Sequence, residues 1–375
     1  MSAMKIFEMK VLLIIVLAIS VVANGHFLKF FDRRVLLESG ARRALAGGAP
    51  AVFDISKSGG APGGDMTAQV NKAWTDACHS NAPAKLLVPR GEWLVGELKF
   101  TGPCSNPAPI IIEVQGTLKA KPDLKSFPSG MWITIYQACV QMMGGGILHG
   151  QGEAVWKTKK PGDDAFPDSL VFSQYSSNTD GIHMGRVKGV RITNTVIAVG
   201  DDCISVGDDS NDITITNITC GPGHGISIGS LGRYPDDKDV RNVAISNCTF
   251  RKTANGARIK TFHDSPVLQA SNISFTDITL DNVSNPIIID QNYFAKKPGA
   301  SKVKITGVHY KNFKGSTNTN KAISLHCSDA VPCEAIDFTD IDLTYVGNSP
   351  VNKNLKSECV NAKPVFGGKM NPAGC

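Results

Sequence analysis

The sequence predicts an all-β solenoid of the parallel β-helix type, with one short helix near its N-terminal end. Short β-branched runs bounded by Gly, Asn, Asp and Pro begin at Val52, as strands do. A three-residue motif also recurs at steps of 23, 30, 30, 30 and 33 residues, with no helical stretch between its copies. The copies are Ile192-Thr193-Asn194, Ile215-Thr216-Asn217, Ile245-Ser246-Asn247, Phe275-Thr276-Asp277, Ile305-Thr306-Gly307 and Phe338-Thr339-Asp340.

The N-terminal segment has the pattern of a secretory signal peptide. Two lysines precede an apolar run from Val11 to Ile19, and small residues follow up to Gly25. A membrane-spanning helix would need roughly 20 apolar residues, and this run is shorter. We expect a signal peptide over 1–25, a leader or pro-segment over 26–50, and a single β-helical domain over 51–375. The mature protein is then secreted and extracellular, with no membrane contact after cleavage.

Ten cysteines, an even number, fit an oxidising compartment. Local spacing suggests four disulfides and leaves Cys139 and Cys248 without an obvious partner. The suggested pairs are Cys78 with Cys104, Cys203 with Cys220, Cys327 with Cys333, and Cys359 with Cys375. Sequons at Asn217, Asn247, Asn272 and Asn282 fit a glycoprotein.

The helix is predicted over Thr67–Cys78, where apolar residues recur at helical spacing. After each copy of the three-residue motif a second short strand follows at a similar offset. These second strands are Cys203–Val206, Gly225–Ile228, Ala257–Lys260, Pro286–Asp290 and Ala322–Leu325. A leucine-rich repeat is the alternative solenoid, but its leucine spacing is absent.

Stacked coils convert intervals in the sequence into neighbours in space. Each coil of a β-helix lies about 4.8 Å from the next, so equivalent positions line one face. Asp202, His224 and Arg258 fall at near-equivalent places of three consecutive coils. We therefore expect these three side chains to line one surface patch.

Asp201 and Asp202 are adjacent and would point to opposite faces of a straight strand. A bend at Gly200 is expected to bring both to the surface, where Asp180 of the preceding coil joins them. Clustered carboxylates repel, so the pKa of at least one should be raised. One protonated and one ionised carboxyl group are what acid/base hydrolysis of a glycoside requires.

A metal site is the rival interpretation, since three aspartates with His224 could bind Ca²⁺ or Mn²⁺. Arg258 and Lys260 argue against a metal and suggest that the ligand is an anion. They lie two apart on one strand and face the same way, which suits a substrate carboxylate. We therefore expect no cofactor.

The net charge of +6 is compatible with an acidic polysaccharide partner, although many secreted proteins are equally basic. No run of Lys and Arg is interleaved with aromatic residues, so we expect no nucleic-acid partner.

Four short motifs resemble, in this order, the signature of the polygalacturonase family of glycoside hydrolases (pectinases). They are Asn178-Thr179-Asp180, Gly200-Asp201-Asp202, Gly223-His224-Gly225 and Arg258-Ile259-Lys260. The run from Cys220 to Tyr234 resembles plant members, and the run from Thr253 to Lys260 resembles pollen-type exopolygalacturonases. The similarity covers most of the chain from Val52 to Cys375.

The resemblance implies a right-handed, single-stranded parallel β-helix that hydrolyses α-1,4 bonds of polygalacturonate with inversion and without a metal. It also implies an exo-acting, monomeric enzyme of the cell wall. Inversion requires the acid and the base to lie roughly 6.5–9.5 Å apart, so that a water molecule fits between them.

The resemblance also implies a role for each motif residue. Asp201 would be the general acid that protonates the leaving oxygen. Asp180 and Asp202 would activate the attacking water, and His224 would tune the protonation of the acid. The residues implied in substrate binding are Arg258 and Lys260 for the galacturonate carboxylate, Tyr293 at a sugar subsite, and Asn178 as support for the cleft.

The chain also departs from the family pattern. Only 21 residues separate Trp156 from Asn178, where the family has a longer stretch, so at least one coil just before the catalytic face is expected to be absent. Phe294 stands where plant relatives often carry a cysteine, and His149 where an aspartate is usual. The missing coil keeps open the alternative of a catalytically impaired β-helix that binds the cell wall or has a structural role. A pectate lyase, the alternative with the same fold, would need Ca²⁺ and an arginine base.

Overall fold

The computed structural model describes residues 49–59, 63–128, 132–151, 180–294, 300–348 and 354–375. Residues 51–375 form one compact unit. The predicted signal peptide, almost all of the predicted leader, the stretch between Trp156 and Asn178, and Asn178 itself lie outside the described residues. Among those described, no helix is both long and apolar enough to cross a membrane.

The predicted helix is confirmed at Thr67–Cys78, labelled α1 here. Its buried side chains are Val70, Ala73, Trp74, Ala77 and Cys78, which recur at the spacing of one helical face. Trp74 packs on Phe100 and donates its indole N–H to the carbonyl of Thr101. The helix therefore covers the apolar interior at the first coils of the solenoid.

The strands are short in the first coils and lengthen along the chain. In chain order they are β1 Ala51–Asp54, β2 Ala84–Val88, β3 Glu92–Val95, β4 Leu98–Thr101, β5 Ile110–Val114, β6 Thr117–Ala120, β7 Ile133–Tyr136, β8 Val140–Met143, β9 Ile147–His149, β10 Ile182–Gly185, β11 Arg191–Ile197, β12 Ile204–Val206, β13 Asn211–Cys220, β14 Ile226–Leu231, β15 Val240–Arg251, β16 Asn255–Phe262, β17 Leu268–Val283, β18 Asn285–Tyr293, β19 Val303–Thr317, β20 Lys321–His326, β21 Glu334–Tyr345, β22 Lys356–Val360 and β23 Val365–Asn371.

All these strands pair in parallel, which confirms the β-helix. One sheet runs from β4 through β7, β10, β12, β14, β16, β18 and β20 to β22, and the other collects the remaining strands, from β1 to β23. In the first coils the second sheet has two branches, β2-β5-β8 and β3-β6-β9, which join at β11. The coils wind in the right-handed sense that parallel crossovers favour. The candidate site residues lie on and beside the first sheet.

The recurring three-residue motif marks a turn of each coil, because its third residue has a left-handed backbone. The φ angles are 54° at Asn194, 56° at Asn217, 52° at Asn247, 58° at Asp277, 56° at Asn312 and 58° at Asp340. Asn and Asp adopt this conformation at lower cost than other non-glycine residues. The motif therefore encodes the turn as well as the strand.

One copy of the motif was aligned wrongly. Phe275 pairs with Tyr310, whereas Ile305 pairs with Ala270. The connection from β18 to β19 is longer than the one from β16 to β17, and this shifts the equivalent position by five residues. The turn residue of that coil is therefore Asn312, and Gly307 belongs to a different turn.

The interior is one continuous apolar core of stacked side chains. Near its C-terminal end, Phe275, Tyr310, Phe338 and Phe366 stack along the helix axis, with adjacent ring centroids 5.6, 4.8 and 5.2 Å apart. Equivalent positions of successive coils supply these rings, which is why the repeat can bury them as a ladder.

The four suggested disulfides are all present: Cys78–Cys104, Cys203–Cys220, Cys327–Cys333 and Cys359–Cys375. Cys139 and Cys248 are free thiols. At the sequons, Asn217, Asn247 and Asn272 are exposed and Asn282 is half-buried.

Candidate active site

Two rows of side chains run across the coils beside β10, β12, β14 and β16. The strand register places Asp180, Asp202, His224 and Asn255 at equivalent positions. The second row, three residues further along each strand, contains His183, Ser205, Ser227 and Arg258. The expectation that Arg258 shares a row with Asp202 and His224 was therefore wrong, because the register pairs Arg258 with Ser227.

Asp202 lies under the surface, with no exposed area. Its Oδ1 accepts hydrogen bonds from Arg258 Nη2 at 2.6 Å and Ser227 Oγ at 2.7 Å. Its Oδ2 accepts from Lys260 Nζ at 2.8 Å. The expected exposure of Asp202 was wrong: the bend before β12 turns its carboxylate inward, onto two cations of β16.

Arg258 and Lys260 are themselves buried and serve as the counter-charges of Asp202. Burial favours their neutral forms, but the charge of Asp202 and those of other nearby acidic groups, Asp201 for Arg258 and Asp180 for Lys260, together outweigh this effect and raise the pKa of both side chains. Arg258 also donates Nε–H to Ser227 Oγ at 2.7 Å. Because these groups are paired and hydrogen-bonded, the charges of the cluster are held in fixed positions beneath the site.

Asp201 reaches the surface and is held by His224. His224 Nδ1 lies 2.8 Å from Asp201 Oδ1, which also accepts the backbone N–H of Asp202. Partial burial favours protonation of Asp201, but the hydrogen bond and charge of His224, with Lys260 and Arg258, lower its pKa overall. The side chains remain 14% exposed for Asp201 and 36% for His224, so a substrate can reach both.

The glycine after His224 is required by the backbone. Gly225 has a φ of +90°, and a Cβ there would lie 2.3 Å from the carbonyl oxygen of Asn255 in the next coil. At Gly223, the other glycine of the motif, a Cβ would lie 2.8 Å from the carbonyl oxygen of Asp201, which accepts the N–H of His224 at 2.6 Å. The Gly-His-Gly motif thus fixes the imidazole against Asp201.

Asp180 is the aspartate with the raised pKa. Ser205 Oγ donates to Asp180 Oδ2 at 2.5 Å, and the same hydroxyl lies 2.7 Å from His183 Nδ1. Burial, and then the negative charges of Asp202 and Asp201, raise the pKa of Asp180 to about 7. This carboxyl group therefore holds a proton at mildly acidic pH, while Asp201 is ionised.

Tyr293, at the end of β18, covers the buried cations. Its ring centroid lies 5.0 Å from Lys260 Nζ and 5.9 Å from Arg258 Cζ. Such contacts with an aromatic face favour the charged forms of both side chains. The structure thus joins Tyr293 to the cluster, while Asn178 lies outside the described residues.

A cation could use the oxygen or nitrogen atoms of Asp201, Asp202 and His224, which lie within 4.8 Å of one another. However, both oxygens of Asp202 already accept hydrogen bonds from cationic side chains. A metal here would have to displace these contacts and would be repelled by Arg258 and Lys260. The donor set therefore suits a metal poorly.

Three participants were missed from the sequence: His183, Ser205 and Ser227. Both serines are buried and connect the carboxylates to groups on neighbouring coils. The two serines could have been found by aligning Ile204-Ser205-Val206 with Ile226-Ser227-Ile228. This alignment puts both serines at the position that Arg258 occupies two coils and one coil later.

The fold and the site together define a class of protein: a parallel β-helix with a surface cluster of carboxylates, of the kind that acts on carbohydrate. Sequence comparison then identifies the family. The model of glycosyl hydrolases family 28 matches residues 78–173 and 168–367, so the chain belongs to this family.

Named relatives and solved structures agree with this assignment. The chain is 39% identical to a polygalacturonase of Nicotiana tabacum, over 86% of this chain and 92% of that protein. It is 39% identical to an exopolygalacturonase of Zea mays, over 88% and 92%. The endo-xylogalacturonan hydrolase from Aspergillus tubingensis has the same fold, with a TM-score of 0.56, 21% identity, and coverage of 81% of this chain and 98% of that one.

Proposed function

We propose that this chain is an exo-acting polygalacturonase, which hydrolyses α-1,4-galacturonosyl bonds of polygalacturonate with inversion. The observation that carries the proposal is the pair of accessible carboxyl groups, Asp180 and Asp201, above the buried Asp202–Arg258–Lys260 cluster, in a chain of glycosyl hydrolases family 28. Similarity to relatives named exopolygalacturonase, including that of Zea mays, supports the exo mode.

In the proposed mechanism Asp201 is the general acid. Its carboxyl group protonates the glycosidic oxygen as the bond to the leaving sugar breaks. His224 holds this carboxyl in place through the 2.8 Å contact and influences whether it carries a proton. Asp180 is the general base and takes a proton from the water that attacks the opposite face of the sugar.

Asp202 contributes to water activation through its charge. It has no exposed area, so its carboxylate acts from beneath the site, together with the cations that it orients. Arg258 and Lys260 attract the galacturonate carboxylate from this position. Because both are neutralised in part by Asp202, they favour an anionic sugar without carrying the full attraction of two free cations.

The reaction needs one proton shared between Asp180 and Asp201, and the free site holds one at mildly acidic pH. That proton resides on Asp180, whose pKa is about 7, and the reactive complex requires it on Asp201. Interacting carboxyl groups titrate as a pair, so a bound substrate can redistribute the proton at small cost. Activity should therefore be highest at mildly acidic pH.

The proposed setting is the cell wall. Four disulfides are typical of an oxidising compartment, and the N-terminal pattern is that of a secretory signal. We infer a secreted monomer that acts on pectin after its signal peptide has been removed.

The test is the release of reducing ends from de-esterified polygalacturonate by the purified protein, beside Asp201→Asn. We expect activity in the parent, its loss in the variant, and galacturonate as the main early product. A ladder of longer oligomers would contradict the exo mode. Absence of activity in a folded parent would overturn the enzyme proposal and favour a wall-binding β-helix.

A second assay on the same material distinguishes the hydrolase from a calcium-dependent lyase. The parent should retain its activity in EDTA and form no unsaturated product that absorbs in the ultraviolet. Loss of activity on chelation, with such a product in untreated samples, would favour the lyase.

A further inference from the structure

An exposed aromatic and cationic platform continues from the candidate active site. It consists of Arg233, Tyr234, Phe262 and Phe294, and it touches the site through Tyr293. The rings of Phe262 and Tyr293 lie 5.8 Å apart, and those of Tyr293 and Phe294 lie 4.4 Å apart. Tyr293 in turn covers Lys260. The platform is therefore continuous with the residues proposed to bind the substrate.

Two aromatic side chains of the platform are open to solvent, and the third, Phe262, is half-buried. Phe294 is 61% exposed and Tyr234 is 54% exposed. Phe262 and Phe294 stack with their ring centroids 6.3 Å apart and an angle of 18° between their planes, so the exposed ring of Phe294 extends the aromatic surface that begins at Phe262. The apolar C–H face of a sugar ring packs on such a surface and buries apolar area from both sides.

Arg233 supplies a cation that nothing described in the protein neutralises. Its guanidinium carbon lies 5.3 Å from the Tyr234 ring and 5.9 Å from the Phe262 ring, and it forms no ion pair with a described carboxylate. Arg258 and Lys260, by contrast, both pair with Asp202. Arg233 is thus free to bind a carboxylate with two parallel N–H donors.

The loop that carries Arg233 is held in shape. Asp237 Oδ2 accepts three backbone N–H groups, those of Gly232, Arg233 and Tyr234, at 3.0, 2.8 and 3.3 Å. The N–H of Asp237 also bonds the carbonyl of Tyr234 at 3.1 Å. A preformed loop loses less entropy when a ligand binds, so the guanidinium is already placed for contact.

We propose that this platform is a second uronate-binding subsite, in which Arg233 binds the carboxylate of a neighbouring galacturonate unit while Phe262 and Phe294 support its ring. The proposal rests on the proposed function, since it names a further contact of the same polysaccharide. An acidic sugar chain is the expected occupant, because its carboxylate complements the charge of Arg233 and because the platform is continuous with Tyr293.

The test compares binding of tetragalacturonate by variants that cannot turn it over. In the Asp201→Asn background, titration calorimetry should give a Kd roughly tenfold higher when Arg233→Gln is added, as expected for loss of one charged hydrogen-bonding group. The matched control is Arg241→Gln, which removes an exposed arginine of β15, in the other sheet, that pairs with Asp239. Its Kd should equal that of Asp201→Asn alone.

A second variant and a kinetic assay separate this subsite from catalysis. Phe294→Ala should also raise the Kd, through loss of ring packing. In the catalytically intact chain, Arg233→Gln should raise KM and leave kcat within about twofold, because the contact is equally strong in the ground and transition states. Equal Kd values with and without Arg233, including no measurable binding by either, would overturn the subsite. Normal hydrolysis by both chains would then leave the proposed function intact.

Discussion

At the scale of single residues, Asp180 and Asp201 differ in protonation because their surroundings differ. Burial and the negative charges of Asp202 and Asp201 raise the pKa of Asp180. At Asp201 the effect of burial is outweighed by the hydrogen bond and charge of His224, with Lys260 and Arg258, so its pKa is lowered. In the proposed mechanism the proton must move from Asp180 to Asp201 when substrate binds. The assignment of acid and base therefore has to be tested in the reacting complex.

The identity of the acid can be read from its dependence on the leaving group. Asp201→Asn should lower kcat on polygalacturonate by at least roughly 10²-fold, as expected for loss of a general acid. On an aryl α-galacturonide, whose phenolate leaves without protonation, the variant should recover most of the parental rate. Asp180→Asn should be impaired on both substrates. If Asp180→Asn, and not Asp201→Asn, recovered its rate on the aryl substrate, Asp180 would be the acid and Asp201 the base.

The raised pKa of Asp180 also predicts a dependence of stability on pH. The folded protein retains a proton up to about pH 7 that the unfolded chain releases near the ordinary value of 3.8. Ionisation thus favours unfolding, and the parent loses stability as pH rises from about 4 to 7. In Asp180→Asn the neutral amide has the shape of the protonated carboxyl group and does not ionise, so this variant does not lose stability in the same way.

Urea unfolding measures the effect. Asp180→Asn should match the parent at pH 4 and exceed its free energy of unfolding by roughly 2 kcal/mol at pH 7.5, after allowance for its partial exposure. Asp281→Asn on β17, an exposed aspartate of the other sheet, controls for the lost charge. A difference between parent and Asp180→Asn that did not grow with pH would contradict the raised pKa.

At the scale of the elements, turns with left-handed residues set the coil register. A second row of such residues comprises Asp212, Asn242, Asn272, Gly307 and Ala335, with φ angles of 59°, 58°, 53°, 65° and 49°. The amides of Asn242 and Asn272 form a ladder, donating to the residue one coil earlier at 2.8 and 2.7 Å. Ala335 is the exception in this row, since it is neither Asp, Asn nor Gly and its Cβ disfavours this conformation.

Ala335→Gly should stabilise the protein for this reason. Glycine adopts a positive φ without steric cost, and we expect a gain of about 1 kcal/mol after its larger entropy loss on folding. The matched control is Ala244→Gly, in the exposed part of β15 with an ordinary strand backbone, which should cost about 0.5–1 kcal/mol. Chemical denaturation of the three proteins checks this. Destabilisation at both positions would show that the turn carries no strain.

Helices and strands were predictable where the residues within the segment itself determine its structure. The 12-residue helix followed from the spacing of Val70, Ala73, Trp74 and Ala77. The strands of most coils followed from the repeated Ile-Thr-Asn motif. The register at Phe275 and Tyr310 was not predictable from that motif, because the longer connection before β19 changes the spacing and leaves the strand pattern intact.

At the scale of the whole molecule, stacking of coils turns a linear order of motifs into a site. The sequence placed Asp180, Asp202 and His224 on successive coils, and the register puts them in one row. It did not predict the burial of Asp202 or the pairing of Arg258 with Ser227. Those depend on the bend before β12 and on contacts between strands that no single coil encodes.

The stereochemistry of the first product tests the central claim most directly. Proton NMR of early time points in the hydrolysis of polygalacturonate by the parent should show the β anomer of galacturonate before mutarotation, because Asp180 directs water to the face opposite the broken α bond. Initial release of the α anomer would contradict the inverting mechanism and, with it, the proposed division of labour between Asp201 and Asp180.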